Sequence, residues 1–593
     1  ILHPQTAFVE TLEWKADYEK KYRKFADKPQ PRLIKTKLQA EIYPRKRAVE
    51  FRGAYGLVNM TRSNIDTIHI STAPGVENHS ISFDRSAKPV LVDEELDYRM
   101  YILDKPLSPG DSLKVEFHVT YNPQGFPNSG VNISVVKNGS YFANFWLPSI
   151  GYQDGREILN PDDRKMQGLG GDSRIIEEIG SEGGERIDLE VIVGTDKGQI
   201  AVGPGKLLKS WQANGRSYFH YATESPVKNK FGLFSADYHV VEAWWKADSG
   251  KTVDIKIFHH PEHTLNLDRI AKGVQASLTH LTREYGPYPH SEIRFLEVPG
   301  YPKGLFAYPM NILYREGFAL LNPDKDSTKV DIPFATVAHE VSHQWWGSQV
   351  SPAPVKGAAL LTESLAWYSA LEIVEEAKGR KEFLGLIGGL QDDYFSPKSR
   401  ADEPLLSATE HHLIYRKGPL ALFAMRAYIG GDQMRKALLS LFKKNATGNA
   451  PLPLPSDLYK ELQAVTPDSM KYLLHDLFAA NTFWELKTER AVARQTESGL
   501  WKVTLEVQAK KFTVDTNGID TDVEMNDLIQ IGMYGGNEKD GEGQELYLNL
   551  HRIRPGKQTI EIELQGKPSF GGIDPKNLLM DLKRWDNTVE IEY

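Results

Sequence analysis

"HEVSHQWW", residues 339–346, is the stretch on which the reading of this chain turns. It lies within a run from Asp331 to Gly347 whose apolar residues recur at helical spacing. Val337, Val341 and Trp345 fall four apart and mark one buried stripe. Asp331 suits a cap, Pro333 suits the first turn, and Gly347 suits a stop, so a helix is expected over Pro333–Trp346. His339 and His343 are also four apart and leave one face of that helix, one turn apart. Two imidazoles so placed can share one Zn²⁺. Glu340 projects beside them, where a carboxylate reaches a water rather than the metal. The competing reading is a pair of satisfied core histidines on a buried helix.

A catalytic zinc keeps three protein ligands and one open position, so a third ligand must come from elsewhere. The next helical pattern is "ALLTESLAWYSALEIVEEAKG", over Leu360–Lys378. Glu363 stands in its first turn on an apolar-rich surface, a poor place for an unpaired carboxylate. Glu372, Glu375 and Glu376 lie further along and are expected to face solvent. Glu363 is therefore the expected third ligand, for one Zn²⁺ per chain. "HHPEH", residues 259–263, also offers two histidines four apart, His259 and His263. Pro261 between them and the strand pattern before them are incompatible with a helix, which reads against a second metal site.

Length and composition set the frame. A chain of 593 residues exceeds one hydrophobic core and suggests three or four domains. A net charge of −8 gives no reason to expect nucleic acid or an anionic membrane surface as partner. Basic runs such as Lys20, Lys21, Arg23 and Lys24 read as solvated helix faces. There are no cysteines, so disulfides and thiolate metal sites are excluded and any metal must use His, Asp or Glu. No run of apolar residues is long enough to span a bilayer. The chain opens on Ile1 rather than Met, as expected of a processed protein or of a trimmed one.

Four segments follow from the pattern. Residues 1–29 read as a charged helix with Trp14, Tyr18 and Tyr22 four apart, ended by Pro29 and Pro31. Residues 30–258 carry short alternating runs separated by Pro, Gly, Asn and Asp: "IKTKLQAEIYP", "TIHIST", "LKVEFHVTY", "VNISVV", "IDLEVIVG", "YHVVEAWWK" and "TVDIKIFHH". They imply an antiparallel β domain, interrupted over 150–190 by a Gly-rich, charged insertion or loop. Residues 259–483 are mostly helical, with Leu267–Tyr285, Pro419–Tyr428 and Asp457–Asn481 beside the two helices above. Residues 484–593 return to strands ("WKVTLEVQAKKF", "LIQIGMYG", "QELYLNL", "QTIEIELQG") and read as a small β-sandwich. The fold class is multidomain α+β.

These motifs resemble the aminopeptidase N family of gluzincin zinc peptidases. "HEVSHQWWG" is similar to that family's zinc-helix motif, aromatic pair included. "PYPHSEIRFLEVPGYPKGLFAYPMNILYRE" (287–316) resembles the segment that precedes it, and "YRKGPLALFAM" (415–425) resembles the family's Tyr-x-Lys-Gly motif. The motifs keep the family's order, and the likeness covers about 30–593, most strongly 285–430. It implies a thermolysin-like catalytic domain between the two β domains, without the family's large C-terminal helical domain. It implies His339 and His343 as zinc ligands, Glu340 as general base, Glu363 as third ligand and Tyr415 as the residue that stabilises the tetrahedral intermediate. Two departures stand out near Glu363. Residues 344–362 make its spacing from His343 one residue longer than the family's, which "SPAPVKG" is expected to absorb, and Ser364 follows where the family usually has glycine.

A larger departure lies at 304–308. Aligned on "YRE" (314–316), Gly304, Ala307 and Tyr308 fall in the family's substrate-binding Gly-x-Met-Glu-Asn stretch, and Ala307 replaces the glutamate that grips a free α-amine. Either another carboxylate does so, with Glu297 and Glu316 as candidates, or no free N-terminus is required. The implied function is zinc-dependent hydrolysis of peptide bonds in a peptide substrate. The alternative is a peptide-binding or structural module of a membrane transport complex that holds zinc. "LTESLAWYSAL" and the domain set are most similar to a branch fused to the permease part of a bacterial ABC transporter. That likeness implies an extracytoplasmic, periplasmic position and a tether to a membrane permease segment absent from this chain.

Overall fold

Alternation of apolar and polar residues builds the first half of the molecule from strands. The structure is a computed structural model that describes residues 8–123, 132–171, 173, 185–300, 305–319, 330–396, 400, 402–448, 451–536 and 543–593. It divides into two compact units. The first takes Ile1–Glu177, Glu182–Ser351 and Thr447–Leu452, and the second takes Glu178–Ser181, Pro352–Ala446 and Pro453–Tyr593.

In the first unit, Arg32–Tyr43 sits inside a large sheet, burying Leu38, Ala40 and Ile42 while Lys37 and Gln39 face outward. The strand order is Lys206–Ala213, Arg216–Ala222, Arg186–Asp196, Arg32–Tyr43, Ala48–Val58, Ser112–Tyr121 and Val76–Phe83. All neighbours along that path are antiparallel except one. Arg32–Tyr43 and Arg186–Asp196 run parallel, with Leu38 opposite Val191. The antiparallel domain expected from the sequence is thus mixed at this pair, because a parallel neighbour needs the long crossover that residues 44–185 supply. "VNISVV" also departs from expectation: its described part, 132–136, is not a strand, and Ser140 Oγ closes a turn on the N–H and carbonyl of Val136. Within 150–190, the described residues hold a turn at Asp154–Arg156 and a short helix, Pro161–Met166, capped by Asn160. The N-terminal helix, Phe8–Tyr22, lays Tyr18 and Tyr22 against Tyr98, with the Tyr22 ring stacked on it at 4.0 Å.

The hydrophobic core of these sheets contains Leu38, Phe51, Phe142 and Val191 and continues without a break to Phe258, Leu296, Leu313 and Tyr308. Phe258, Leu296 and Leu313 belong to a five-stranded sheet that runs across residue 258, and Tyr308 directly follows its edge strand. Its order is His239–Lys246, Thr252–His259, Glu292–Val298, Asn311–Arg315 and Phe306–Ala307. Helix Leu267–Glu284 makes the crossover between the parallel strands Thr252–His259 and Glu292–Val298. It buries Ile270, Val274, Leu278 and Leu281, a stripe at spacing three to four. Gly273 lets this helix approach the next one closely, since a Cβ there would lie 2.8 Å from Val337 Cγ1.

The second unit is helical first and then β. Glu363–Lys378 and Gly418–Ile429 are joined by two further helices, Arg380–Phe395 and Gly431–Asn445. In Arg380–Phe395 the pair Gly388-Gly389 weakens the local signal, and burial of Phe383, Leu386, Ile387 and Leu390 overrides it. The single helix expected over Asp457–Asn481 is instead broken. Pro455–Val465 stops before Pro467, whose ring disfavours helical conformation at Thr466, and Lys471–Leu474 leads into a π-helical turn, His475–Ala479. At the C-terminus, one sheet contains Thr482–Gln495 and Trp501–Val514 and a second contains Asp527–Gly535 and Gln544–Ile553. Val503 and Leu505 of the first sheet and Ile529 and Ile531 of the second are buried. The chain has the expected multidomain α+β fold, β domain first, helices in the middle and β domain last.

Candidate metal centre

The helix that carries the histidines begins where the sequence places its cap. Asp331 accepts a hydrogen bond from Phe334 N at 3.2 Å and Pro333 lies in the first turn of Ile332–Ser342. The helix ends at Ser342, four residues earlier than expected. His343 forms its C-cap, and a tight turn follows in which Gly347 takes φ 125° and donates to Val350 O. Val337, Val341 and Trp345 are fully buried, as the spacing requires.

The two tryptophans hold this end in place. Trp345 Nε1 donates to Gly286 O at 3.1 Å, and Trp346 meets the edge of Tyr285 at 4.9 Å. Gln344 does more. Its Oε1 accepts from Met310 N at 2.9 Å and its Nε2 donates to Tyr308 O at 3.0 Å. One amide side chain thereby locks the histidine helix to the hairpin formed by Phe306–Ala307 and Asn311–Arg315, and Met310 holds φ 65° in its turn. The sequence shows only that Gln344 follows His343; its two partners come from a segment far away in the chain.

The Nε2 atoms of His339 and His343 face each other at 3.2 Å. Two nitrogens bound to one tetrahedral zinc at about 2.0–2.1 Å sit roughly 3.3 Å apart, so the pair is spaced for a shared metal. His343 Nδ1 donates to Trp346 O at 3.0 Å, which fixes its tautomer and leaves the lone pair of Nε2 for a ligand. Glu363 opens helix Glu363–Lys378 and is buried, 6 % exposed. A helix N-terminus favours a carboxylate there. One donor atom from each of His339, His343 and Glu363 lies within 4.8 Å of the others, and no other trio among the described residues is so arranged. Two neutral imidazoles and one carboxylate suit zinc. Glu340 is buried beside His339 on the same helix.

The remaining site residues fall as follows. Loop Ser351–Gly357 and a 3₁₀ turn, Ala358–Leu361, deliver Glu363. Glu372 and Glu375, expected to face solvent, are half-buried and paired: Tyr368 Oη donates to Glu372 and Arg426 to Glu375, each at 2.8 Å, because helix Gly418–Ile429 packs over that side. Glu376 is exposed. Tyr415 lies half-buried in a π-helical turn, Leu413–Lys417, with its ring stacked on His411 at 4.2 Å. Lys417 in the same turn is fully buried; its Nζ donates to Asn481 Oδ1 at 2.9 Å, and burial, partly offset by Asp402, pushes its pKa down to about 8. Ala307 is half-buried on the edge strand Phe306–Ala307. Tyr308 is buried and its hydroxyl is paired with that of Tyr141. Gly304 lies outside the described residues. Glu297 is fully buried and occupied by His260 N and His263 Nδ1, and Glu316 accepts from Gly300 N at 3.2 Å.

Residues 274–477 match the family model described as Peptidase family M1 domain. This segment is similar to an M1 peptidase domain. Within it lie His339, His343, Glu363, Glu340 and Tyr415. Aminopeptidase M1-D of Oryza sativa subsp. japonica is 27 % identical over 222 residues, 35 % of this chain and 25 % of that protein. Aminopeptidase N of Lactobacillus helveticus is 26 % identical over 214 residues, 32 % of this chain and 23 % of that protein. The match spans about a quarter of the length of these relatives. The M1 zinc metallopeptidase of Deinococcus radiodurans shares the fold beyond the M1 domain, with a TM-score of 0.54 at 15 % identity over 76 % of this chain and 93 % of that one.

Proposed function

We propose that this chain is a zinc-dependent peptidase of the aminopeptidase type that does not require a free N-terminus. The observation that carries the proposal is the His339–His343–Glu363 donor set inside a segment that matches the M1 peptidase family model. Zinc held by these three residues would polarise a carbonyl and acidify a water. Glu340 takes the proton of the attacking water and returns it to the leaving amine. Tyr415 donates a hydrogen bond to the carbonyl oxygen as negative charge develops on it. Ala307 supports the finer part of the reading. A methyl group on the edge strand offers an ammonium neither charge nor hydrogen bond, and the two carboxylates considered in its place, Glu297 and Glu316, already have partners.

Paired peptides, one with a free α-amine and one N-acetylated, test this. Cleavage of both at comparable kcat/KM is expected. Cleavage of the free-amine peptide alone refutes the relaxed requirement, and zinc binding without cleavage of either points to a binding module. Glu340→Gln should keep stoichiometric zinc by metal analysis and lose about three orders of magnitude in kcat. Retained turnover in that variant would overturn the role of Glu340.

We also propose a periplasmic position with a tether to a transporter permease. The reading is supported by "LTESLAWYSAL" and by a chain without cysteine. Protease accessibility in intact spheroplasts tests it: protection of this domain from added protease would refute an extracytoplasmic position.

A further inference from the structure

Ser364 directly follows Glu363 and its side chain is fully buried. Its Oγ donates to Ile414 O at 2.6 Å. Ile414 belongs to the π-helical turn Leu413–Lys417, where Gly418 N reaches back five residues to Leu413 O. Such a turn inserts one extra residue into a helix, is rare, and displaces a carbonyl from its usual partner, so it needs outside support. Ser364 supplies that support from the helix of Glu363. Gly418 closes the arrangement: a Cβ there would collide with Ser364 Oγ, so the glycine is what lets the hydroxyl approach the turn. Tyr415 is the next residue after Ile414, and His411 covers its ring.

We propose that Ser364 is a positioning residue for Tyr415. Its hydroxyl holds the π turn in register, and the register sets where the phenol points. If the turn relaxed to ordinary helix, one residue would be taken up and the flanking side chains would rotate by about 100° relative to each other. The inference rests on the peptidase reading for its kinetic consequence but not for its structural one.

The test uses the full zinc-loaded chain. In Ser364→Ala, kcat should fall roughly tenfold with KM changed less than twofold and zinc content unchanged. In a Tyr415→Phe background, the same Ser364→Ala change should cost no further kcat, because the group it positions is gone. Hydrogen exchange gives an answer that does not depend on activity: amides of 413–418 should exchange at least tenfold faster in Ser364→Ala, while those of 335–341 keep their wild-type rates. Ser364→Gly serves if the alanine variant is poorly folded, with the same outcomes expected. Unchanged exchange at 413–418, or a kcat loss that persists undiminished in the Tyr415→Phe background, overturns the proposal. Absence of peptidase activity in the wild-type chain would sink the functional reading instead, and the exchange measurement would still decide whether Ser364 pins the turn.

Discussion

Two histidine pairs in this chain have identical spacing and opposite fates. His339 and His343 stand on a capped helix with their Nε2 atoms 3.2 Å apart. His259 and His263 flank Pro261 at the end of a strand, and the proline prevents a helix there. His259 Nδ1 turns to His260 O, while His263 pairs with the buried carboxylate of Glu297. A spacing of four converges two imidazoles only when the backbone between them is helical. The second pair has become a latch, in which Glu297 ties the loop after Thr252–His259 to the central strand Glu292–Val298.

The largest effect should separate the two pairs outright. His343→Ala is expected to reduce bound zinc from one per chain to below a tenth under chelator challenge, whereas His263→Ala should leave it unchanged; zinc loss in the second variant would break the distinction. A third histidine environment comes next. His290 is buried, and burial pushes its pKa down to about 4. The folded state then binds fewer protons than the unfolded state between pH 6.5 and 4. His290 therefore contributes stability at neutral pH that is lost as pH falls through this window, by roughly 2–3 kcal/mol. Denaturant unfolding at pH 7 and pH 4.5 should show a smaller decline in His290→Gln than in the wild type, and equal declines would refute this.

Glu297→Gln should sharpen the contrast from the other side. It weakens the acceptor for His260 N and His263, costing about 1–2 kcal/mol by calorimetry with zinc content and kcat intact. A changed zinc affinity would mean that the latch is part of the metal site. The smallest effect concerns the same sheet two strands further out, where a carboxylate is missing. Ala307→Glu is expected to shift the ratio of kcat/KM for free-amine over N-acetylated peptide about tenfold toward the free amine, near the value of one surface-accessible ion pair in a partly desolvated site. No shift would remove residue 307 from the ground that meets the substrate's N-terminal end.

Much of the metal centre was legible because its signals are local. Asp331, Pro333 and the Val337–Val341–Trp345 stripe act within one helix, and Glu363 stands out as a carboxylate in an apolar first turn. The β domain was legible for the same reason, through alternation in runs such as Arg32–Tyr43. The illegible parts depend on partners distant in the chain. The parallel pairing of Arg32–Tyr43 with Arg186–Asp196, the break at Pro467 inside an apparently continuous pattern, and the helix Arg380–Phe395 despite its paired glycines all answer to packing rather than to local preference.

The sequence by itself determined which residues could ligate a metal and in what local geometry, because a capped helix turns a spacing of four into convergence. Only the tertiary structure decided that Gln344 grips the hairpin at Tyr308 and Met310, that Gly273 admits Val337, and that Ser364 holds the turn of Tyr415. Each of these is a contact between chain segments whose separation is invisible to periodicity, and each exists because a buried polar group or a close backbone approach had to be satisfied where the segments meet.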